Sequence, residues 1–421
     1  MSTEGSSDRP DGLHAYIAVT AAYWAFMLTD GALRMLVLLH FHTLGFSPFT
    51  LAWLFLLYEF AGIVTNLSAG WIAARFGLSS TLFMGLILQV FALIALALLS
   101  PGWAMALSVA YVMVVQGLSG VAKDLTKMSS KSAVKLLAPS GQGGLFKWVA
   151  ILTGSKNAVK GFGFLLGAIL LGVIGFSGSL IVMAVALAVI LLMLLFWMPK
   201  GLPAGSKSAK FSHMLSKDTR VNRLSLARMF LFGARDVWFV VGVPVYFQTV
   251  LTQYGHFDDR DAFFLVGGFM AVWIVAYGAV QAYAPRLLRA HVRDEAGLVH
   301  DASRWAAILT VLITVLAVLS FFPQDLLVFM VVAGLLLFGF VFAVNSALHS
   351  YLILAFSTAE RVTRDVGFYY MSNAAGRLLG TLLSGLSYQL GGLSLCLSTA
   401  AVMAALSWAS ARFLAREYAL S

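Results

Sequence analysis

Six basic side chains lie inside stretches of the sequence that are otherwise apolar: Arg34, Lys156, Lys160, Arg228, Arg235 and Arg377. A lysine or arginine at the centre of a membrane helix costs ~2.5–3.5 kcal/mol on insertion scales. It therefore requires an ionic partner, a water-filled cavity or a function. The same stretches hold fewer acids, namely Asp30, Glu59 and Asp236. We expect the interior of the protein to carry a positive charge.

Three of these bases are predicted to share one depth. At ~1.5 Å per residue, Lys160, Arg235 and Arg377 lie roughly 17–18 Å from one end of their apolar stretches, near the middle of a ~30 Å hydrocarbon core. Lys156 lies one turn from Lys160 on the same helical face. Arg228 lies about one turn inside its stretch, and we expect its charge to extend to the membrane interface.

The ratio of bases to acids indicates what the cluster binds. Asp30 and Arg34, at a spacing of four, could form a structural ion pair, and Asp236 could pair with a neighbouring base. Such pairs use up the acids, so the other bases favour an anionic substrate that supplies the missing charge. Arginine suits phosphate-like groups because its planar guanidinium donates paired hydrogen bonds.

The predicted substrate site combines three midplane bases with assisting bases and two amides: Lys160, Arg235 and Arg377, then Lys156, Arg34 and Lys123, and the hydrogen-bond donors Asn157 and Asn373. A coupling proton would be carried by Asp30, Glu59 or Asp236. Lys123 also begins a ladder with Lys127, Lys131 and Lys135 at spacings of four. The ladder is typical of a headgroup-binding face, and it could also gather anions at the mouth of a cavity.

The composition indicates a membrane protein. Of 421 residues, 60% are hydrophobic and 11% are charged, against ~45–50% and ~25% in soluble domains. This excludes a soluble enzyme, a disordered chain and a nucleic-acid-binding protein. The single cysteine, Cys396, excludes a disulfide framework and a thiolate-rich metal site. We find no nucleotide, metal or catalytic motif, so we expect neither an enzyme nor a cofactor.

Twelve stretches have the length of a membrane span. They cover residues 15–41, 49–73, 81–99, 103–122, 148–176, 179–198, 224–251, 262–284, 305–322, 326–348, 365–390 and 393–414. We predict a six-helix bundle over residues 1–198, a basic cytoplasmic linker over 199–223 and a second six-helix bundle over 224–421.

The loops predict the orientation. Most of the 28 lysines and arginines fall in loops on one side, whereas the opposite loops hold only Arg260. Because lysine and arginine accumulate in cytoplasmic loops, both termini are expected in the cytoplasm. The polar, acidic segment before the first span lacks the basic region of a signal peptide, so that span should be retained.

The two halves also resemble each other. Asp30 precedes Phe41 by eleven residues, as Asp236 precedes Phe247. Asn157 precedes Lys160 by three residues, and Asn373 precedes Arg377 by four. Such echoes favour a duplicated transporter whose substrate site lies between the repeats.

These features resemble the major facilitator superfamily over nearly the whole chain. Residues 70–77 (GWIAARFG) and 116–120 (QGLSG) are similar to its short motifs, although Ala74 and Met113 replace a usual Asp and Arg. The resemblance implies an all-α integral membrane protein of twelve transmembrane helices in two pseudo-symmetric six-helix bundles.

Longer blocks resemble the organoarsenical efflux permeases of the ArsJ type. They are residues 29–35 (TDGALRM), 40–46 (HFHTLGF), 116–135, 154–161 (GSKNAVKG) and 232–237 (FGARDV). The resemblance implies export of 1-arseno-3-phosphoglycerate across a bacterial inner membrane, arsenate resistance, and a metabolic link to glyceraldehyde-3-phosphate dehydrogenase. We expect a monomer whose partners are this small anionic phosphoester and the lipid bilayer.

Two rival interpretations stay open. One arginine in the first span and one in the seventh, Arg34 and Arg235, resemble the arrangement in organophosphate:phosphate antiporters. The second rival is a membrane scaffold or sensor that transports nothing. The charges within the spans argue against this interpretation.

Overall fold

Helices, most of them long and apolar, account for nearly all of the described residues in a computed structural model of the protein. The structure describes residues 9–137, 144–197, 216–288, 294–322, 326–357 and 362–420. Most of the expected linker, and the side chains of Lys131 and Lys135, lie outside the described residues. The helices are α1 (Arg9–Thr43), α2 (Pro48–Leu67), α3 (Ala69–Phe76), α4 (Leu78–Ala97), α5 (Met105–Leu137), α6 (Gly144–Trp197), α7 (Thr219–Val237), α8 (Val243–Thr249), α9 (Asp259–Leu287), α10 (Glu295–Leu319), α11 (Leu327–Phe356) and α12 (Val362–Leu420).

Ten segments of the described chain are long and apolar enough to cross a membrane. Two of them, in α6 and α12, are much longer than one crossing of ~30 Å requires. Each is interrupted at glycine: Gly175 has φ 70° in α6, and Gly392 has φ 60° in α12. A positive φ is accessible to glycine without steric cost, so each segment divides into two spans there. The described helices therefore make the expected twelve crossings.

The seventh span contains irregular turns. Between α7 and α9 the chain forms π-helical turns at Trp238–Gly242 and Val250–Tyr254, on either side of α8. Pro244 lacks an N–H and its ring clashes with the carbonyl four residues earlier, which disfavours a regular helix. The Ser384 hydroxyl of α12 accepts from the amides of Val241 and Gly242, at 3.2 and 3.1 Å. This stabilises the irregular segment next to Arg235 and Asp236.

Packing between the first and last six spans is most extensive in two helix pairs, α2 with α12 and α6 with α9. Glycine permits the close approach. A Cβ added to Gly385 of α12 would lie 2.4 Å from the Pro48 carbonyl oxygen, and one added to Gly267 of α9 would lie 2.5 Å from Ala168 Cβ. We call the side of the bundle where α1 and α7 begin its inner end, and the opposite side its outer end.

Candidate functional site

A network of charged side chains occupies the middle of the bundle. Its carboxylates come from α1, α2 and α7, and its bases from α1, α6, α7 and α12. Four bases share three carboxylates: Arg34, Lys160, Arg235 and Arg377 with Asp30, Glu59 and Asp236.

Glu59 of α2 is the central acceptor of the network. Arg34 of α1 donates to its Oε1, and Arg377 of α12 donates to the same oxygen through Nη2 at 2.6 Å. Arg377 also donates through Nε to Asp236 Oδ2 of α7 at 3.3 Å. A single guanidinium thus joins an acid of the first six spans to an acid of the last six.

Asp30 is bound from two other helices. Lys160 of α6 lies 2.7 Å from its Oδ2, and the Tyr58 hydroxyl of α2 donates to its Oδ1 at 2.5 Å. The structural pair of Asp30 with Arg34 considered from the sequence is therefore wrong. Lys160 reaches Asp30 because α1 and α6 approach closely at Gly31, where an added Cβ would lie 2.5 Å from the Lys160 carbonyl oxygen.

Arg235 lies beside its sequence neighbour Asp236. Its Nε and Nη2 lie 2.6 and 2.5 Å from Asp236 Oδ1. The guanidinium carbon is 4.8 Å from the ring centre of Phe232 and 5.5 Å from that of Phe342. Aromatic faces attract a guanidinium and fix its plane. The expected pairing of Asp236 with a neighbouring base is confirmed.

Lys123 of α5 lies at the edge of this network. Its Nζ is 4.0 Å from the ring centre of Tyr58, whose hydroxyl binds Asp30. The adjacent Asp124 is engaged by Lys127 at 2.8 Å and by the Thr65 hydroxyl at 2.5 Å. The network therefore extends along α5 toward the inner end.

The remaining predicted residues lie on α6 and α12, outside the ion pairs of the central network. Half-buried Lys156 lies one turn before Lys160 on α6. Asn157 donates to the Gln281 side chain of α9 at 3.1 Å. The side-chain oxygen of Asn373 on α12 accepts from Arg228 Nε at 3.0 Å.

Arg228 does not extend to the interface, so that expectation is wrong. Its side chain is 4% exposed and donates through Nη1 to the backbone oxygen and hydroxyl of Ser346, at 2.9 and 3.0 Å. Gln281 Nε2 lies 3.3 Å from the same hydroxyl. Gln281 and Ser346 were not predicted as site residues. Their only signal in the sequence is that they are polar residues within apolar spans, and this signal is weak unless the contact partner is known.

The sequence predicted that the acids would leave some of the bases unpaired. In the structure each acid accepts from more than one donor, so the three acids pair with all four central bases. An anion entering this region would compete with carboxylates for arginine and lysine. Guanidinium groups donate equally well to carboxylate and phosphate oxygens, so the arrangement can exchange one anionic partner for another. Among the described residues, no group of three or more His, Cys, Asp or Glu side chains could hold a metal ion.

Solved structures with the same architecture are transporters. A POT-family transporter in complex with a thioalcohol-conjugated peptide superposes with a TM-score of 0.69 at 15% identity, over 93% of this chain and 94% of that chain. A POT-family transporter with 5-aminolevulinic acid also gives 0.69 at 15% identity, over 97% and 96%. A variant of the nucleoside transporter NupG gives 0.67 at 15% identity, over 96% and 98%. At 15% sequence identity, these comparisons show a common fold and nothing about the substrate.

A family comparison agrees with the fold. No curated protein matches the sequence of this chain. The family model of the Major Facilitator Superfamily matches residues 16–300, about two thirds of the chain. The chain belongs to the Major Facilitator Superfamily, and it is a multi-pass membrane transporter rather than an enzyme.

Proposed function

We propose that this transporter exports an anionic organic ester, 1-arseno-3-phosphoglycerate, and thereby confers arsenate resistance. The observation that carries the proposal is the central network, in which bases from both sets of six spans outnumber the carboxylates. Lys123 adds a further buried cation at the edge of the network. A positively charged site inside a membrane favours an anion that balances it.

The resemblance to the ArsJ-type permeases supplies the identity of the anion. Glyceraldehyde-3-phosphate dehydrogenase forms this ester when arsenate replaces phosphate in its reaction. The ester carries a phosphate and an arsenate group, and both suit arginine and lysine donors. A carrier of trivalent arsenic would instead require thiolates, whereas the sequence holds one cysteine, Cys396, which is buried.

The network supports a simple route to alternating access. Arg377 joins Glu59 of the first six spans to Asp236 of the last six. We propose that an anionic group of the substrate replaces Glu59 between Arg34 and Arg377, so that this tie between the halves is made through the substrate and breaks when the substrate leaves. Asp30, Glu59 and Asp236 are the groups proposed to carry a coupling proton. The protein would lie in a bacterial inner membrane with both termini in the cytoplasm.

Arsenate tolerance tests the proposal. Expression in an arsenic-sensitive bacterium should raise arsenate tolerance only when the dehydrogenase is co-expressed. Lys160→Ala and Arg235→Ala should abolish the tolerance at normal protein levels, because each removes a central base. Unchanged tolerance with the wild-type protein would refute the export proposal, and full activity of both variants would show that the site lies elsewhere.

Exchange of a phosphate ester for inorganic phosphate is a second candidate function. It is favoured by the presence of Arg34 in α1 and Arg235 in α7 within one network. Everted vesicles preloaded with phosphate would then take up ester faster than unloaded vesicles. Uptake that is indifferent to internal phosphate would exclude exchange and leave unidirectional export.

A further inference from the structure

Arg228 of α7 is a buried cation without an acidic partner in the described part of the chain. The central bases have carboxylates within 4.0 Å, but no described carboxylate lies within that distance of Arg228. Its described hydrogen bonds go to neutral oxygens of Asn373 and Ser346. They leave Nη2 without an acceptor among the described residues. An isolated charge in a membrane interior requires compensation.

Unpaired polar atoms lie on the neighbouring helix. Both side-chain atoms of the Asn345 amide and both ring nitrogens of His349 are buried without a hydrogen-bond partner, and so is the Ser225 hydroxyl of α7. Asn345 and His349 are fully buried at 0% exposure. Spaced by four residues, they lie on one face of α11. Buried polar atoms are rarely left unsatisfied, so these five atoms indicate an occupant.

The register of α7 and α11 brings these groups to Arg228. Toward the outer end, Phe342 of α11 contacts Phe232 of α7, with ring centres 5.1 Å apart. Toward the inner end, Phe356 of α11 lies 5.3 Å from the Arg220 guanidinium of α7. Asn345 and His349 fall between these two contacts on α11, as Ser225 and Arg228 do on α7. The hydrogen bond of Arg228 to Ser346 confirms that register.

We propose that Arg228, Ser225, Asn345 and His349 form a second anion subsite, inside the last six spans and nearer the inner end than the central network. Its ligand is an oxyanion of the phosphate type. The site offers a guanidinium, an amide N–H, an imidazole and a hydroxyl, which can all donate hydrogen bonds. A metal cation is disfavoured because Arg228 would repel it. The nearest acid along α12 is Asp365, one turn from Tyr369, whose ring centre lies 5.0 Å from the Arg228 guanidinium. Asp365 makes no ion pair with Arg228 within 4.0 Å.

This subsite deepens the proposed function and rests on it. Arg228 binds Asn373, which lies one turn before Arg377 on α12. Ser346 is linked through Gln281 to Asn157, which lies about one turn before Lys160 on α6. A substrate with two separated anionic groups could place one in the central network and the other here. The same hydrogen-bond donors would bind inorganic phosphate if the protein exchanges a phosphate ester for phosphate. Transport assays can distinguish these two sources of the oxyanion.

Phosphate-dependent thermal stabilisation of the purified protein tests the subsite directly. Inorganic phosphate is titrated at constant ionic strength maintained with chloride. Arg228→Gln should weaken phosphate binding by about tenfold or more, because a charge-assisted hydrogen bond is lost. Asn345→Leu, which is similar in volume and removes two unpaired polar atoms, should weaken phosphate binding while preserving the fold. Arg412→Gln, which removes an exposed arginine of α12, is the matched control and should titrate like the wild type.

The outcomes separate this proposal from the export proposal. The subsite is refuted if wild-type protein shows no phosphate-specific stabilisation, or if Arg228→Gln and Asn345→Leu both titrate like the wild type. Normal phosphate binding without arsenate tolerance would instead refute the export of the ester alone. In vesicles, a raised KM for the ester in Arg228→Gln would assign the subsite to the substrate. Loss of the dependence on internal phosphate would assign it to the counter-anion.

Discussion

At the scale of single residues, the pair of Lys160 and Asp30 can be tested separately from the stability of the fold. The two charges lie 2.7 Å apart on different helices, and their side chains are 17% and 2% exposed. Removing one partner of such a buried pair leaves an uncompensated charge, whereas removing both charges can be nearly neutral for stability. A role in transport is therefore visible in the double variant, where stability no longer obscures it.

We predict that Asp30→Asn and Lys160→Met each lower the stability of the protein by about 3–5 kcal/mol. The double variant should recover most of that loss but should confer no arsenate tolerance, because the base that binds the anion is gone. Thermal unfolding of the purified variants and the tolerance assay measure the two effects. Wild-type tolerance in the double variant would mean that the pair is only structural.

At the scale of elements, the membrane spans follow from local sequence, whereas side-chain partners do not. Hydropathy over ~20 residues is a property of each segment alone, so the twelve spans were predictable. The predicted turn between 390 and 393 coincides with the break at Gly391 and Gly392. The π-helical turns near Pro244 were not predicted, because they also depend on the hydroxyl of Ser384 in another helix.

The same limit explains the errors within the candidate site. The sequence spacing of Asp30 and Arg34 suggested a pair, but helix packing determines which base reaches which acid. Arg228 was misplaced because its distance from the end of the span says nothing of Asn373 and Ser346, which lie on other helices. The rise of the helix predicted that Lys160, Arg235 and Arg377 share one depth, and in the structure all three belong to the central network.

Adjacent glycines in α9 give a matched test of the contact between α6 and α9. A Cβ at Gly267 would lie 2.5 Å from Ala168 Cβ, whereas nothing lies within 4 Å of one at Gly268. Gly267→Ala should destabilise the protein by about 1–3 kcal/mol through overpacking. Gly268→Ala should be neutral or stabilise it by up to about 1 kcal/mol through helix propensity. Equal thermal unfolding of the two variants would contradict the described contact.

At the scale of the whole molecule, the orientation determines what export means. The distribution of lysine and arginine predicts that the inner end faces the cytoplasm. In a Cys396→Ser background, Phe257→Cys at the outer end should react with an impermeant maleimide in intact cells, because Phe257 is exposed. Lys217→Cys, before α7, should react only after permeabilisation. The reverse labelling pattern would overturn the orientation.

The central claim is that the protein moves the arsenate ester from the cytoplasmic face to the opposite face. Everted vesicles expose the cytoplasmic face to the medium, where the dehydrogenase, its aldehyde substrate, NAD and arsenate can generate the labile ester continuously. After hydrolysis in the lumen, each ester yields one arsenate and one 3-phosphoglycerate. We predict that both accumulate inside in equal amounts, only in vesicles that contain the protein and only when the dehydrogenase is active. Equal luminal contents with and without the protein, or accumulation of arsenate that does not depend on the dehydrogenase, would contradict the account.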